Sequence, residues 1–310
     1  MRIFDKKNVI LVRVQEEDVN SFVVDVDIDD NGQPLYRLND LTEAIISVIP
    51  EYVFAEYEND SINQMNAVDK LREAARSIYK VKEYDLMRRV YLNNDLQAAD
   101  EIKESKFINR GEFGELLLHL ILREFKGTVP LVSKVYFSDS YDVPAHGFDA
   151  VHISKDENIL WLGESKLYKT GKEGVVKLIQ DIKDHIKTDY LNEQFVIIKK
   201  NLFNNSIPER DKWIKQLNSC NKLGEKIRMI NIPLLCTYPH DIYKLFDDMN
   251  TTEAISYHEM DVKELKAYFD EKNDHSLKKQ LNIILILFPI RDKKEFIKKM
   301  HERLWHMQSM

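Results

Sequence analysis

Any fold this chain adopts has to accommodate Ile159-Leu-Trp-Leu-Gly-Glu-Ser-Lys166. Alternate side chains of an extended strand share a face, so Leu160, Leu162, Glu164 and Lys166 project the same way. Two leucines require a buried face, and that face then has to receive a carboxylate and an ammonium. Burying such charges is costly unless they are paired or hold an ion. An acidic residue two before a lysine recurs along the chain, as at Asp5/Lys7, Glu101/Lys103 and Glu124/Lys126. The pair at 164 and 166 differs because it ends an apolar strand directly after a glycine.

Seven of the nine glycines fall between Gly111 and Gly174. Glycine marks sharp turns and close backbone approaches, so this window is where chemistry is expected. His146-Gly-Phe-Asp-Ala-Val-His-Ile153 reads as a preceding strand with Asp149, Val151 and Ile153 on one face, joined to the next strand by a hairpin through Ser154–Asn158. That brings Asp149 toward Glu164 and Lys166. His146 and His152 fall on the opposite face, which suits packing or surface roles. Upstream, Arg110–Phe125 is a strongly apolar helix. At 100° per residue, Glu112, His119 and Arg123 form the centre of its polar stripe and Glu115 its edge, beside Leu118 and Leu122. An edge carboxylate can reach into a cleft between helix and sheet, which favours Glu115 over Glu112.

Elsewhere, Phe22–Ile28 alternates as a strand, Asp29–Gly32 is a turn, and Asp40-Leu-Thr-Glu43 is a capping-box helix start. Asp25, Asp27, Asp29 and Gly32 do not make a calcium loop. Counted from Asp25, the sixth position is Asp30 and the twelfth is Tyr36, so an acidic hairpin is expected. Helices are expected within 61–106 (Leu71, Ala74, Ile78 and Val81 on one face), over Glu173–Tyr190 (Val176, Ile179, Ile182, Ile186), over 261–280 and over Lys293–Trp305. Strands are expected at Phe195–Ile198, Ile227–Leu235 and Ile283–Phe288. Strands alternating with helices predict a mixed α/β sheet.

Helix with Glu, strand, strand with Asp, strand with Glu-x-Lys, then helix: this order resembles the PD-(D/E)xK nuclease core, with Phe148 where proline often precedes the aspartate. The wording of three stretches is closer still. Arg110-Gly-Glu-Phe-Gly-Glu-Leu-Leu-Leu-His119, His146-Gly-Phe-Asp-Ala-Val-His152 and Trp161-Leu-Gly-Glu-Ser-Lys166 look like the HamA family, nuclease subunits of Hachiman antiphage defence. The resemblance is sharp over about 105–175 and looser elsewhere. It implies an active site at Asp149, Glu164 and Lys166 with Glu115 as a fourth member, and a HamB-type helicase as partner. Residues 1–104 then read as an acidic α/β accessory region, and 105–310 as the nuclease domain with a C-terminal strand and basic helix. Residues 1–60 and that helix are the candidate partner surfaces.

Phosphodiester cleavage needs an activated water and charge neutralisation at phosphate. Asp149 and Glu164 suit Mg²⁺, a hard cation that takes oxygen ligands and keeps waters, with Mn²⁺ as substitute. Such a metal acidifies water and stabilises developing charge. Lys166 would add a point charge at the water or phosphate, and Glu115 would ligate directly, through water, or at a second metal. Lys169, Lys172 and Lys177 are further phosphate contacts or a solvated loop. Gln180 is followed four residues on by Asp184, so the Gln-x-x-x-Tyr signature of one exonuclease-like branch is missing. No nucleophile elbow or P-loop occurs. Cys220 and Cys236 read as buried thiols. The alternatives are a nuclease-fold scaffold or sensor without catalysis, and a nuclease acting on RNA.

The net charge is −7, which does not suit a simple nucleic-acid binder. Residues 1–60 hold 14 acidic and 5 basic residues (−9), so the remainder sums to +2. An acidic total therefore leaves a nuclease open, and a weak intrinsic hold on phosphate backbones fits an enzyme whose DNA is delivered by a partner. The first residues lack a signal-peptide pattern and the longest apolar run is too short to span a bilayer, so the expectation is a cytoplasmic protein with no membrane partner.

Overall fold

The computed structural model describes residues 9–55, 62–78, 89, 111–132, 147–154, 158–204, 209–220 and 222–310. In chain order the elements are β1 (Ile10–Gln15), β2 (Val19–Val24), β3 (Val26–Ile28), β4 (Pro34–Tyr36), α1 (Leu38–Ser47), α2 (Ile49–Phe54), α3 (Ala67–Ile78), α4 (Gly111–Phe125) and β5 (Thr128–Val132). They continue as β6 (Ala150–Ser154), β7 (Leu160–Leu167), α5 (Gly171–His185), α6 (Thr188–Asn204), α7 (Arg210–Ser219), α8 (Leu223–Ile227), β8 (Ile230–Pro239), α9 (Ile242–Leu245), α10 (Thr252–Lys272), β9 (Asn282–Ile290) and α11 (Lys293–Ser309).

Seven strands form one mixed sheet in the order β1-β2-β9-β8-β7-β6-β5. The four strands β2, β9, β8 and β7 are mutually parallel, and antiparallel partners flank them, β1 on one side and β6 then β5 on the other. Alternation along each strand feeds two cores. Trp161, Leu167, Ile284, Ile286 and Phe288 pack beneath α1–α4 and α11. Leu160, Leu162, Ile283, Leu285 and Leu287 pack beneath α5, α6, α7 and α10. The result is the expected mixed α/β architecture: a sheet between two helical layers.

The N-terminal segment is woven into this body. β2 hydrogen-bonds β9, and α1–α3 share a core with α4 and α11, so sheet and core run across the expected boundary at 104/105. The acidic hairpin is present as β3–β4. At its turn Gly32 has φ +74°, and the Asp29 side chain accepts from the Asn31 and Gln33 amides at 2.8 Å each.

Several expected elements differ. Phe195–Ile198 lies within helix α6 rather than a strand. Phe195 and Ile198 are buried whereas Val196 is exposed, the three-residue spacing of a helix face. The helix over 173–190 is two helices broken at Ile186–Lys187, and Val176 is exposed while Val175, Leu178, Ile179 and Ile182 are buried. α1 starts at Leu38 without a side-chain cap, and Asp40 instead pairs with Arg37 at 2.9 Å. Ile227 closes α8, so β8 starts only at Ile230, and the helix over 261–280 is Thr252–Lys272. Val81, Arg110 and His146 lie outside the described residues. Among the described residues, no helix is long and apolar enough to cross a membrane.

Candidate active site

β6 and β7 pair antiparallel with Ala150 opposite Gly163, so extending the register by one residue sets Asp149 across from Glu164. Both carboxylates are buried, Asp149 at 6% and Glu164 at 3% exposure, where charge is costly without partners. Each has one. Asp149 Oδ2 accepts from the Ser165 amide at 2.9 Å and from Ser165 Oγ at 3.0 Å. Glu164 Oε1 lies 2.6 Å from His185 Nδ1, which therefore carries the proton and donates.

Lys166, on the same strand face as Glu164, pairs with Asp181 at 2.5 Å. Burial works against its charge, but Asp149, Asp181 and Glu164 together outweigh burial and raise its pKa above the ordinary lysine value. Burial also raises the Asp181 pKa, against the opposing pull of Lys166, and lowers that of His185. The structure thus gathers Asp149, Glu164 and Lys166 at one strand end and adds Ser165, Asp181 and His185.

Glu115 comes from α4, which rides close over β7. A Cβ at Gly114 would stand 3.2 Å from Ser165 Oγ, and one at Gly163 would stand 2.8 Å from Leu118 Cδ2. These two glycines let the helix settle onto the strand. Glu115 is buried, and its Oε2 accepts from Tyr52 Oη at 2.7 Å. Burial raises the Tyr52 pKa well above the ordinary phenol value, and the charges of Glu115 and Asp149 raise it further. The phenol thus feels both carboxylates. Among the described residues no group of three or more His, Cys, Asp or Glu is gathered to hold a metal. Asp149 and Glu164 supply carboxylate oxygens of the kind a hard cation that keeps several waters would take. Glu115 is held by Tyr52 instead of joining a three-ligand cluster.

Two members of the α4 polar stripe, His119 and Arg123, are met by neighbouring elements. Arg123 Nε donates to Glu51 of α2 at 2.7 Å, and His119 is buried. His119 Nδ1 meets His152 Nε2 at 3.1 Å, and His152 Nδ1 meets Thr128 Oγ1 at 2.8 Å. Thr128 Oγ1 donates to the Leu122 carbonyl. Proton bookkeeping along this chain puts the hydrogens on the Nδ1 atoms of both histidines. Burial lowers both pKa values, that of His119 to about 3. His152 therefore packs, as its strand parity implied.

Lys169, Lys172 and Lys177 are exposed, and Lys172 pairs with Glu264 at 2.6 Å. Gln180 donates to Asp184 at 2.8 Å. Cys236 is buried and Cys220 half-buried, both as free thiols. Sequence reasoning missed Asp181, His185 and Tyr52. The first two sit one turn apart beside the apolar stripe of α5, the same edge-of-stripe signal that singled out Glu115. Tyr52 carries no local signal, because its partner lies 63 residues away.

Fold and site together define a mixed α/β protein with a buried carboxylate–lysine cluster at the end of a central strand. The chain belongs to the HamA family, whose model matches residues 2–304. Membership fits a component of Hachiman antiviral defence. No curated protein matches the sequence.

Proposed function

We propose that the chain is a Mg²⁺-dependent nuclease that hydrolyses nucleic-acid phosphodiester bonds, DNA foremost, in Hachiman defence under the control of a HamB-type helicase. One observation carries the reading: the β6–β7 register, continued one residue past Ala150 and Gly163, sets Asp149 across from Glu164, and the charges of Asp149, Asp181 and Glu164 act on Lys166 together. The order α4, β5, β6, β7, α5 and, after an insertion of three helices, β8 supports a PD-(D/E)xK core. Helicase control is carried by family membership alone.

A Mg²⁺ held by Asp149 and Glu164 would supply Lewis acidity and a more acidic bound water. The chain's own groups do the rest. Lys166, kept protonated by its carboxylate neighbours, serves as a fixed positive charge for phosphate rather than as a base. Ser165 holds Asp149 and His185 holds Glu164, so neither carboxylate is left to swing. Burial on both sides of the strand limits the water that competes for these groups.

The test is Mg²⁺-dependent cleavage of DNA and RNA by the full chain, alone and with its helicase, beside Glu164→Ala and Lys166→Ala. DNA cleavage lost in both variants is the expected result. Cleavage of RNA alone would reassign the substrate, and no cleavage that the variants lose would leave a non-catalytic subunit.

A further inference from the structure

The two carboxylates of the site are held by different parts of the molecule. Asp149 is fixed within the sheet, by Ser165 of the adjoining strand. Glu164 is fixed from outside it, by His185 at the last position of α5. That imidazole is itself confined. It stacks on Tyr190 of α6 with ring centroids 4.5 Å apart and planes 6° apart, and Phe148 meets it edge-on at 5.5 Å. Phe148 also meets Tyr190 edge-on at 5.7 Å, so the three rings close a cluster. Phe148 directly precedes Asp149, which ties the cluster to the backbone that presents the other carboxylate.

A rotation of His185 about χ2 would break the stack and lose the Glu164 hydrogen bond together. Aromatic contacts of this kind contribute about 0.5–1.5 kcal/mol each beyond their buried area. The bond is also directional: an ionised carboxylate only accepts, so Nδ1–H must point at Oε1.

We infer that His185 is a positioning residue, clamped by Tyr190 and Phe148, that orients the Glu164 carboxylate for a divalent cation. The inference rests on the nuclease reading above. Hydrogen-bond partners behind metal-ligating groups fix ligand orientation, and losing one typically costs about 10–100-fold in metal affinity or activity. His185 makes its contribution through Glu164 and needs no contact with substrate.

The experiment measures Mg²⁺ binding by calorimetry on the full chain, and the Mg²⁺ concentration for half-maximal cleavage, for the parent, His185→Ala, His185→Asn and Glu164→Ala. Asparagine presents an N–H near the position of Nδ1, so it separates the hydrogen bond from the ring. The expected result is a loss of about 10–100-fold in Mg²⁺ affinity for His185→Ala, with half-maximal cleavage moved to correspondingly higher Mg²⁺, and both recovered to within about threefold by His185→Asn. Thermal melts report folding. If His185→Ala fails to fold, His185→Asn decides: near-parent affinity supports the assignment, and a loss of about tenfold or more in a folded chain overturns it. Unchanged affinity in folded His185→Ala also overturns it. Glu164→Ala distinguishes the two levels. Its failure to weaken Mg²⁺ binding, or a parent chain that binds no Mg²⁺, removes the metal site itself and this assignment with it.

Discussion

Lys166 keeps its charge because three carboxylates, Asp149, Asp181 and Glu164, act on it at once. Its neighbours are therefore partly redundant, whereas the ammonium is not. On the nuclease reading, Lys166→Ala lowers the cleavage rate by about 10²–10³-fold, the usual cost of removing a fixed charge or donor aimed at a developing anion. Asp181→Asn leaves Asp149 and Glu164 in place and is expected to cost less than about tenfold. Initial rates at saturating Mg²⁺ compare the two; equal losses would mean that Asp181 is as necessary as the lysine. Glu115 accepts a hydrogen bond from Tyr52 Oη. Tyr52→Phe removes that hydroxyl from a buried carboxylate and is expected to destabilise the fold by about 1–3 kcal/mol. Urea unfolding measures the loss, and an unchanged midpoint would mean that another partner fully satisfies Glu115.

At the scale of elements, the strand bearing Glu164 and Lys166 was legible because apolar alternation running into charge has few alternatives. The α4 helix was legible from its 3.6-residue period. What periodicity cannot see is what covers a face. Periodicity gives the polar stripe of α4 but not what meets it: Tyr52 and Glu51 of α2 bond Glu115 and Arg123, and no local pattern reports a partner more than sixty residues away. Phe195–Ile198 went wrong for a related reason. A short apolar run reads equally as strand or buried helix, and the flanking polar residues of α6 decide for helix only once its length is known. The glycines mark close packing as much as chemistry. Gly163→Ala would bring a Cβ to 2.8 Å from Leu118 and 3.1 Å from Pro233, an overpacking expected to cost about 1–3 kcal/mol. Leu118→Ala in the same chain is expected to relieve part of it. Urea midpoints of the single and double variants test this, and strict additivity would exclude the clash.

For the whole molecule, buried neutral histidines set the acid limit. Burial lowers His119 to about 3 and His258 to about 4, below the ordinary value near 6.5. The unfolded chain therefore takes up protons first as pH falls. The stability these groups contribute is complete above pH 6.5 and drains below it, by about 1.4 kcal/mol per histidine per pH unit, until the folded values are reached. Unfolding free energies between pH 7.5 and 5 should show this slope, and His258→Gln should reduce it; a flat profile would contradict the burial. The integration of the N-terminal segment sets a second expectation. Residues 105–310 expressed alone would lose β1 and β2 and bare the edge of β9, where Leu285, Ile286 and Leu287 pair with β2. Exposed apolar edges aggregate, so that fragment is expected in the insoluble fraction, and a soluble, cooperatively melting fragment would show that the boundary is real.

The placement of β1–β2 at one end of the sheet also shapes how a polyanion meets the protein. Glu16, Glu17 and Asp18 are exposed at the β1–β2 turn, and the first 60 residues carry −9 against +2 for the rest. The strands bearing Asp149 and Glu164 lie toward the opposite edge. On the nuclease reading, the carboxylates of that turn repel an approaching nucleic acid and favour its encounter with the β6–β7 side. This repulsion fades beyond about 10 Å at 0.1 M salt, so productive encounters should grow rarer as ionic strength rises even where the docked contacts stay the same.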